Sequence, residues 1–284
     1  MRFSLVVATL GRKDELTALL QSLAVQSFDS FEVIVVDQNL DDRLIAVIAA
    51  FSMLTVHHVK CGTRGISQAR NIGLGLCRGD IVGFPDDDCV YPPRTLTVVD
   101  ASFSPGTDLS LLSGAAVAPD GTPSSGRWSS LSGPITLDTV WTSVIAFNFF
   151  TCRKVLLAIG GFDETLGVGA RFGSAEESDL AIRVIRSGAV ALYDPELVVI
   201  HPDKRLTPAA VVRAFDYGTG LGRVLRKHRI AGSVAAQFFM RPLGGLLLSL
   251  MKGRRLHMRY YRLTLKGRLY GYLSNFPQTV DRIV

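Results

Sequence analysis

Two kinds of pattern alternate along the first hundred residues. Short runs of β-branched and other apolar residues predict strands: FSLVVAT at 3–9, FEVIVVD at 31–37, LTVHHV at 54–59 and DIVGF at 80–84. Between them, LTALLQSLAVQ (16–26), LIAVIAAF (44–51) and SQARNIGLGLC (67–77) carry apolar residues at helical spacing. Strands that are apolar throughout are covered on both faces, and a helix after each strand supplies that cover. The expected fold class is α/β, a Rossmann-like, mostly parallel sheet with helices on both faces. In such sheets ligands bind outside the carboxyl ends of the strands. That rule gathers Thr9, Asp37 and the adjacent carboxylates Asp86, Asp87 and Asp88 along one rim.

Further on the pattern is less regular. Residues 105–140, rich in Gly, Ser, Pro and Thr, read as a long loop. IAFNFFTCR (145–153) reads as a strand, and GGFDE (160–164) as a turn. GVGARFGSAEESDLAIRVIRSG is a Gly-rich loop opening into a helix from Ser174 to Gly188, and VALYDPELVVIHP (190–202) is a strand ending at His201. The apolar run near Met1 is too short for the core of a signal peptide and reads as a buried strand.

Charge divides the chain. From Tyr217 onward there are 13 Arg and Lys against one acid, Asp281, whereas the first 216 residues carry a net −6. We therefore expect two parts, 1–205 and 206–284, the second a basic, amphipathic, mainly helical appendage. Its segments RVLRKHR (223–229), FFMRPLGGLLLSLM (238–251) and KGRRLHMRYYRLTLKGR (252–268) mix cations with Phe, Tyr, Leu and Met. That mixture suits an anionic membrane surface, ahead of simple packing on the first part, with nucleic acid least favoured. Arg241-Pro242 is read as a break, leaving no run of the roughly 18 apolar residues that spanning needs. The four cysteines lack metal-ligand spacing and suit a reducing compartment.

Two groups of acids could do chemistry. Three adjacent carboxylates repel one another unless a cation, a donor or open water offsets them, and a solvated acidic turn is the plain alternative. After a buried strand on the ligand rim, an Asp-x-Asp pair is placed to hold a hard divalent ion. Glu176, Glu177 and Asp179 form the second group. Ser174 and Glu177 fit a capping box, and a carboxylate at such a helix start is also placed to act as a general base.

In their order along the chain, VVATLGR, EVIVVDQN, GISQARNIGL, GDIVGFPDDDCVYP, GGFDE and EESDLAIRVIRSG resemble the family 2 glycosyltransferases of the GT-A fold, over about residues 3–205. The resemblance implies a nucleotide-sugar donor, normally a UDP-sugar, with Mn²⁺ or Mg²⁺ as cofactor and inversion at the anomeric carbon. It implies that Thr9, Arg12, Arg70 and Asp87 lie beside the nucleotide sugar, that Asp37 accepts a hydrogen bond from the base, and that Asp86 serves the ribose and metal region. Asp88, with Asp86 and His201, would serve the metal; the alternative for His201 is a structural role. Glu177 stands where the family has the Asp of a Glu-Asp pair, its catalytic base, with Glu176 as the rival. Asp163 and Glu164 would touch the acceptor, and Trp141, Phe147 and Asn148 are weaker candidates for that side.

The expected function is transfer of a sugar to a saccharide or lipid-linked acceptor in surface polysaccharide synthesis, in the cytoplasm and peripheral to the inner face of the membrane. A sugar-nucleotide nucleotidyltransferase would need an early Gly-rich, basic triphosphate loop, which LGRKDE matches poorly. An inert nucleotide-sugar-binding protein is the third reading, disfavoured by acids at both places. Oligomeric state is left open.

Overall fold

A computed structural model describes residues 1–126, 128–202 and 206–274. Four strands, each followed by a helix, come first: β1 (Phe3–Thr9), α1 (Asp14–Ala24), β2 (Phe31–Asp37), α2 (Ile45–Ala49), β3 (Val56–Lys60), α3 (Ile66–Leu74), β4 (Ile81–Gly83) and α4 (Thr95–Ser102). Then follow β5 (Leu109–Val117), β6 (Gly133–Pro134), α5 (Val140–Ser143), a 3-10 turn at Ala146–Asn148, β7 (Phe149–Cys152), α6 (Arg153–Ala158), α7 (Glu176–Arg186) and β8 (Val190–Ile200). The strands form one sheet in the order β3-β2-β1-β4-β7-β5-β8-β6.

β1 to β4 run parallel, as do β5 and β8, while β7 is antiparallel to both β4 and β5. Two reversals restore the direction, so β8 points the same way as β1, β2 and β4. The uniform apolar runs have their expected cause: every residue of β2 is buried, and so is β1 except Ala8. Leu16, Leu19, Leu20 and Leu23 of α1 pack over Leu5, Val7, Val33 and Val35, each leucine contributing about 2 kcal/mol by leaving water.

The reading of 105–140 as a loop fails at its start. LSLLSGAAV is β5, a central strand between β7 and β8. Its small residues are a packing requirement. A Cβ on Gly114 would lie 1.9 Å from Leu197 O of β8, and the pairing shifts register there, between Ser113 and Ala115. Composition that resembles a loop is here a tight crossing inside a sheet.

The chain folds into two compact units, one within Met1–Glu164 and Glu177–Lys204, the other within Thr165–Glu176 and Arg205–Val284. The Gly-rich segment Thr165–Glu176, read from sequence as part of 1–205, groups with the C-terminal helices. The boundary expected between residues 205 and 206 adjoins residues 203–205, outside the described residues. The first unit holds the sheet.

The second unit contains three long helices, α8 (Pro208–Lys227), α9 (Gly232–Met251) and α10 (Arg255–Leu273). α8 starts where the sequence supplies a cap: Thr207 Oγ1 accepts the Ala210 N–H and Pro208 occupies the first turn. α8 and α10 cross with their backbones touching, through Gly218 and Gly222 on one and Gly267 and Gly271 on the other. A Cβ at Gly222 or Gly267 would fall 2.1 Å from a carbonyl oxygen of the opposite helix.

The expected break at Arg241-Pro242 does not occur, and α9 passes through Pro242. Proline removes the N–H that would bond Phe238 O four residues back. That carbonyl instead accepts from Nη1 of Arg268 on α10, so the orphaned group is satisfied and the helix continues. Gly232–Met251 is in consequence long and apolar enough to cross a membrane by length and composition.

Candidate active site

Because β1, β2, β4 and β8 point the same way, their carboxyl ends lie on one rim. Thr9 ends β1 opposite Asp37, which ends β2. Asp86–Asp88 follow β4 by three residues, and His201 follows β8 by one. A two-residue bridge joins the last two segments: Val90 N donates to Ile200 O (2.8 Å) and Ile200 N to Val90 O (3.0 Å). His201 N donates to Val117 O of β5. Backbone pairing therefore carries a histidine at 201 to an acidic loop more than a hundred residues earlier.

One ligand atom each from Asp86, Asp88 and His201 lie within 4.8 Å of one another. Asp88 Oδ1 stands 3.3 Å from His201 Nε2. His201 Nδ1 is 2.8 Å from Pro202 O; a carbonyl only accepts, so Nδ1 carries a proton. Nε2 then meets Asp88 either as an imidazolium N–H or, in the neutral ring, as a lone pair aimed at the carboxylates. The second state, with the far nitrogen bound to a backbone carbonyl, is the arrangement that metal-binding histidines use. Phe147 stacks on the imidazole, centroids 4.4 Å apart and planes at 7°, and Tyr91 Oη donates to Phe147 O (3.0 Å). These two buried aromatics hold the ring. The chemistry of the set, two carboxylates and one imidazole, fits a divalent cation.

Positive charge already surrounds the acids. Arg12 Nη1 lies 2.7 Å from Asp87 Oδ1 and 2.5 Å from Asp88 Oδ2. Burial opposes ionisation of Asp88, but His201 and Arg12 prevail and hold its carboxyl at about 2. Asp87 is more deeply buried, and there burial prevails over Arg12 and pushes the carboxyl up. Arg70, almost wholly buried under its contact with the Phe162 ring, donates to Asp86 Oδ1 (2.9 Å). Three of the residues expected beside the nucleotide, Arg12, Arg70 and Asp87, are thus drawn together around the metal-binding candidates.

Asp37 sits differently from its expected place against a base. It is fully buried, and both its oxygens are engaged. Oδ1 accepts from Asn39 N (2.8 Å) and Asn39 Nδ2 (2.7 Å); Oδ2 faces His58 Nε2 (2.9 Å) and Lys60 Nζ (3.1 Å). Burial alone would raise its pKa, but these donors outweigh it and hold the carboxyl below the usual range. Asn39 Oδ1 in turn accepts from Gly11 N (2.7 Å), where the chain turns at φ 78°. Asp37 thereby fixes the loop that presents Arg12. Asn39 had no signal in the sequence beyond its nearness to Asp37.

The acceptor-side candidates separate. Asn71 on α3 pins the GGFDE turn, donating to Phe162 O (2.9 Å) and Glu164 Oε1 (3.0 Å) and accepting from Phe162 N (2.8 Å). Glu164 is exposed and Asp163 half-buried. Trp141 is half-buried, its indole N–H on Leu137 O. Asn148 is wholly buried and bonds Ser113 Oγ and Gly114 O. It braces the tight crossing of β5 and has no surface to offer an acceptor, and Phe147 likewise faces His201 from the interior.

α7 begins at Glu176, two residues later than expected. Ser174 Oγ donates to Tyr217 O (2.7 Å). Ala175, just before the helix, is left-handed at φ 66°, a conformation costing a non-glycine residue about 1–2 kcal/mol. Glu176 is buried, Glu177 is half-buried, and the buried Asp179 accepts from Arg183 Nε (2.8 Å) one turn on.

Residues 4–155, just over half of the chain, match the family described as Glycosyl transferase family 2. Among characterised proteins, the glucosyl-dolichyl phosphate glucuronosyltransferase of Haloferax volcanii is 25% identical over 222 residues, 71% of this chain and 69% of that protein. An uncharacterized glycosyltransferase of Haemophilus influenzae is 35% identical over 92 residues, 32% of this chain and 31% of its own length, so the chain spans under a third of that relative. The mannosyltransferase PcManGT of Pyrobaculum calidifontis, solved with GDP-Man and Mn²⁺, superposes with a TM-score of 0.69 at 17% identity, covering 97% of this chain and 88% of that one. S. aureus TarS 1–349 with UDP-GlcNAc gives 0.63 at 18% identity over 96% and 93%. The matched motifs, the mixed α/β sheet and the rim of carboxylates agree: the chain belongs to glycosyl transferase family 2.

Proposed function

We propose that the protein transfers a glycosyl group, with inversion, from a nucleoside-diphosphate sugar, UDP as the nucleotide, to a saccharide or lipid-linked acceptor in surface polysaccharide synthesis. The observation that carries this reading is the convergence of Asp86, Asp88 and His201 at the rim. These residues would hold a divalent ion, Mn²⁺ ahead of Mg²⁺ because one donor is an imidazole. When bound, such an ion acts as a Lewis acid toward the charge that develops on a departing diphosphate. Arg12 and Arg70 supply fixed positive charge beside the same position, and Asp37 acts through Asn39 and Gly11 to hold Arg12 in place. Sugar transfer passes through an oxocarbenium-like state, and the acceptor hydroxyl is too weak an acid to attack alone. Glu177, half-buried in the first turn of α7, is proposed to take its proton, with Glu176 as the alternative base. The UDP-sugar and GDP-sugar complexes of the structural neighbours, and the lipid-linked glycan named for the archaeal relative, support the substrate classes. Nucleotide sugars and four free thiols agree with a cytoplasmic setting.

The test is UDP release from a panel of UDP-sugars with Mn²⁺, with and without added acceptor. Slow release alone and faster release with acceptor support transfer; pyrophosphate release from UTP and a sugar phosphate supports a nucleotidyltransferase instead. Glu177→Gln should leave donor binding within about twofold while lowering kcat by about 10²–10⁴. Unchanged turnover in that variant transfers the base role to Glu176.

A further inference from the structure

Along one side of the helical unit the described side chains are apolar yet exposed. On α9, Phe238 meets Arg268, Phe239 meets Tyr272 and Gly245 meets Tyr261, so the helix lies antiparallel along α10. At 100° per residue the side of α9 away from α10 carries Met240, Leu247 and Met251, with Leu243 and Leu250 along one flank. Their exposures run from 36% to 83%, although a stripe of this composition ordinarily packs inward. α10 bears a second stripe. Arg255, Arg259, Arg262 and Lys266 follow one another at four- and three-residue steps, and all are exposed. Neither helix contains an acidic residue.

We propose that the α9–α10 hairpin docks on an anionic lipid surface, lying in the plane of the interface. The apolar stripe of α9 enters the boundary between headgroups and acyl chains, and the cations of α10, with Arg241 on the flank of α9, engage lipid phosphates. Charge selects this occupant. A second copy on the same face would set its cation stripe against an identical one with no acid to pair. Nucleic acid would meet the cations and leave the leucines in water. A spanning orientation is opposed from within the hairpin: Arg241 stands at the tenth of twenty positions, where a bilayer penalises charge most. Arg268, bonded to Phe238 O, would draw α10 and its cations into the hydrocarbon as well. The proposal does not depend on the sugar-transfer reading, and its readout requires no catalysis.

The test uses the full chain and extruded vesicles of phosphatidylcholine, alone or with roughly 30% phosphatidylglycerol, sedimented at about 0.05 M and about 0.5 M salt. The chain should partition to the anionic vesicles at least about tenfold more than to neutral ones, and lose most of that preference at the higher salt. Met240→Glu with Leu247→Glu should abolish binding, and Arg259→Glu with Arg262→Glu should remove the preference for anionic lipid. All four side chains are exposed, so thermal melts should stay at the wild-type value. A single Leu247→Trp should show quenching by brominated acyl chains. Wild-type sedimentation by the double glutamate variant, or binding indifferent to lipid charge and salt, overturns the proposal. So does a dimer that Leu247→Glu dissociates without any vesicle binding, RNA binding without vesicle binding, or alkali-resistant insertion that marks a spanning helix.

Discussion

His201 shows how a side chain with little meaning in sequence acquires it from its neighbours. Alone it is a histidine after a strand; paired through Val90 and Ile200, and braced by Phe147 and Tyr91, it completes a three-residue set with Asp86 and Asp88. Asp37 shows the reverse. The family resemblance implied direct contact with a base, whereas in the folded chain its two oxygens are engaged by Asn39, His58 and Lys60. Removing it should cost stability. Asp37→Ala takes a partner from three side chains, Asn39, His58 and Lys60, and is expected to lower unfolding free energy by about 2 kcal/mol. Because the folded carboxyl is held below its unfolded value of about 3.9, its contribution is complete above that pH and disappears as pH falls through the folded pKa. Urea midpoints should therefore fall faster with acid for wild type than for Asp37→Asn, the two curves closing up as pH falls below the unfolded value. Parallel curves would show that Asp37 is not the hub the geometry makes it.

Among the elements, β1, β2 and the helices between the early strands were legible because burial on both faces demands uninterrupted apolar runs. β5 was not, because its central position required Gly114 and neighbouring small residues, and local composition cannot distinguish a tight crossing from a loop. α9 was hidden for a related reason. Proline forfeits one hydrogen bond in any helix, but whether the helix ends depends on a partner for Phe238 O, and that partner is Arg268, thirty residues on. Pro242 and Arg268 are therefore interdependent. Pro242→Ala restores the N–H, so Arg268→Met should cost about 1 kcal/mol less in the Pro242→Ala background than in wild type. A thermal or urea double-mutant cycle reads this directly; additive effects would mean that Arg268 serves α9 only through packing on the Phe238 ring.

For the whole molecule, the opposed charges of its two parts anticipated a separate basic helical region, while nothing in the pattern indicated that Thr165–Glu176 would group with it. The place of Asp86–Asp88 after a strand was legible in the sequence; their encirclement by Arg12 and Arg70 needed the folded chain. On this account the early acids, with His201, form the seat of a cation on which the diphosphate of a sugar nucleotide depends. Calorimetric titration of UDP tests that claim most directly, in Mn²⁺ and then in EDTA, on wild type and on Asp88→Asn. Wild type should bind UDP at least about tenfold more tightly with Mn²⁺, and Asp88→Asn, where one coordinating charge is gone, should bind it equally weakly in both. Equal affinities in wild type with and without the ion, or a full metal effect that survives in Asp88→Asn, would contradict it.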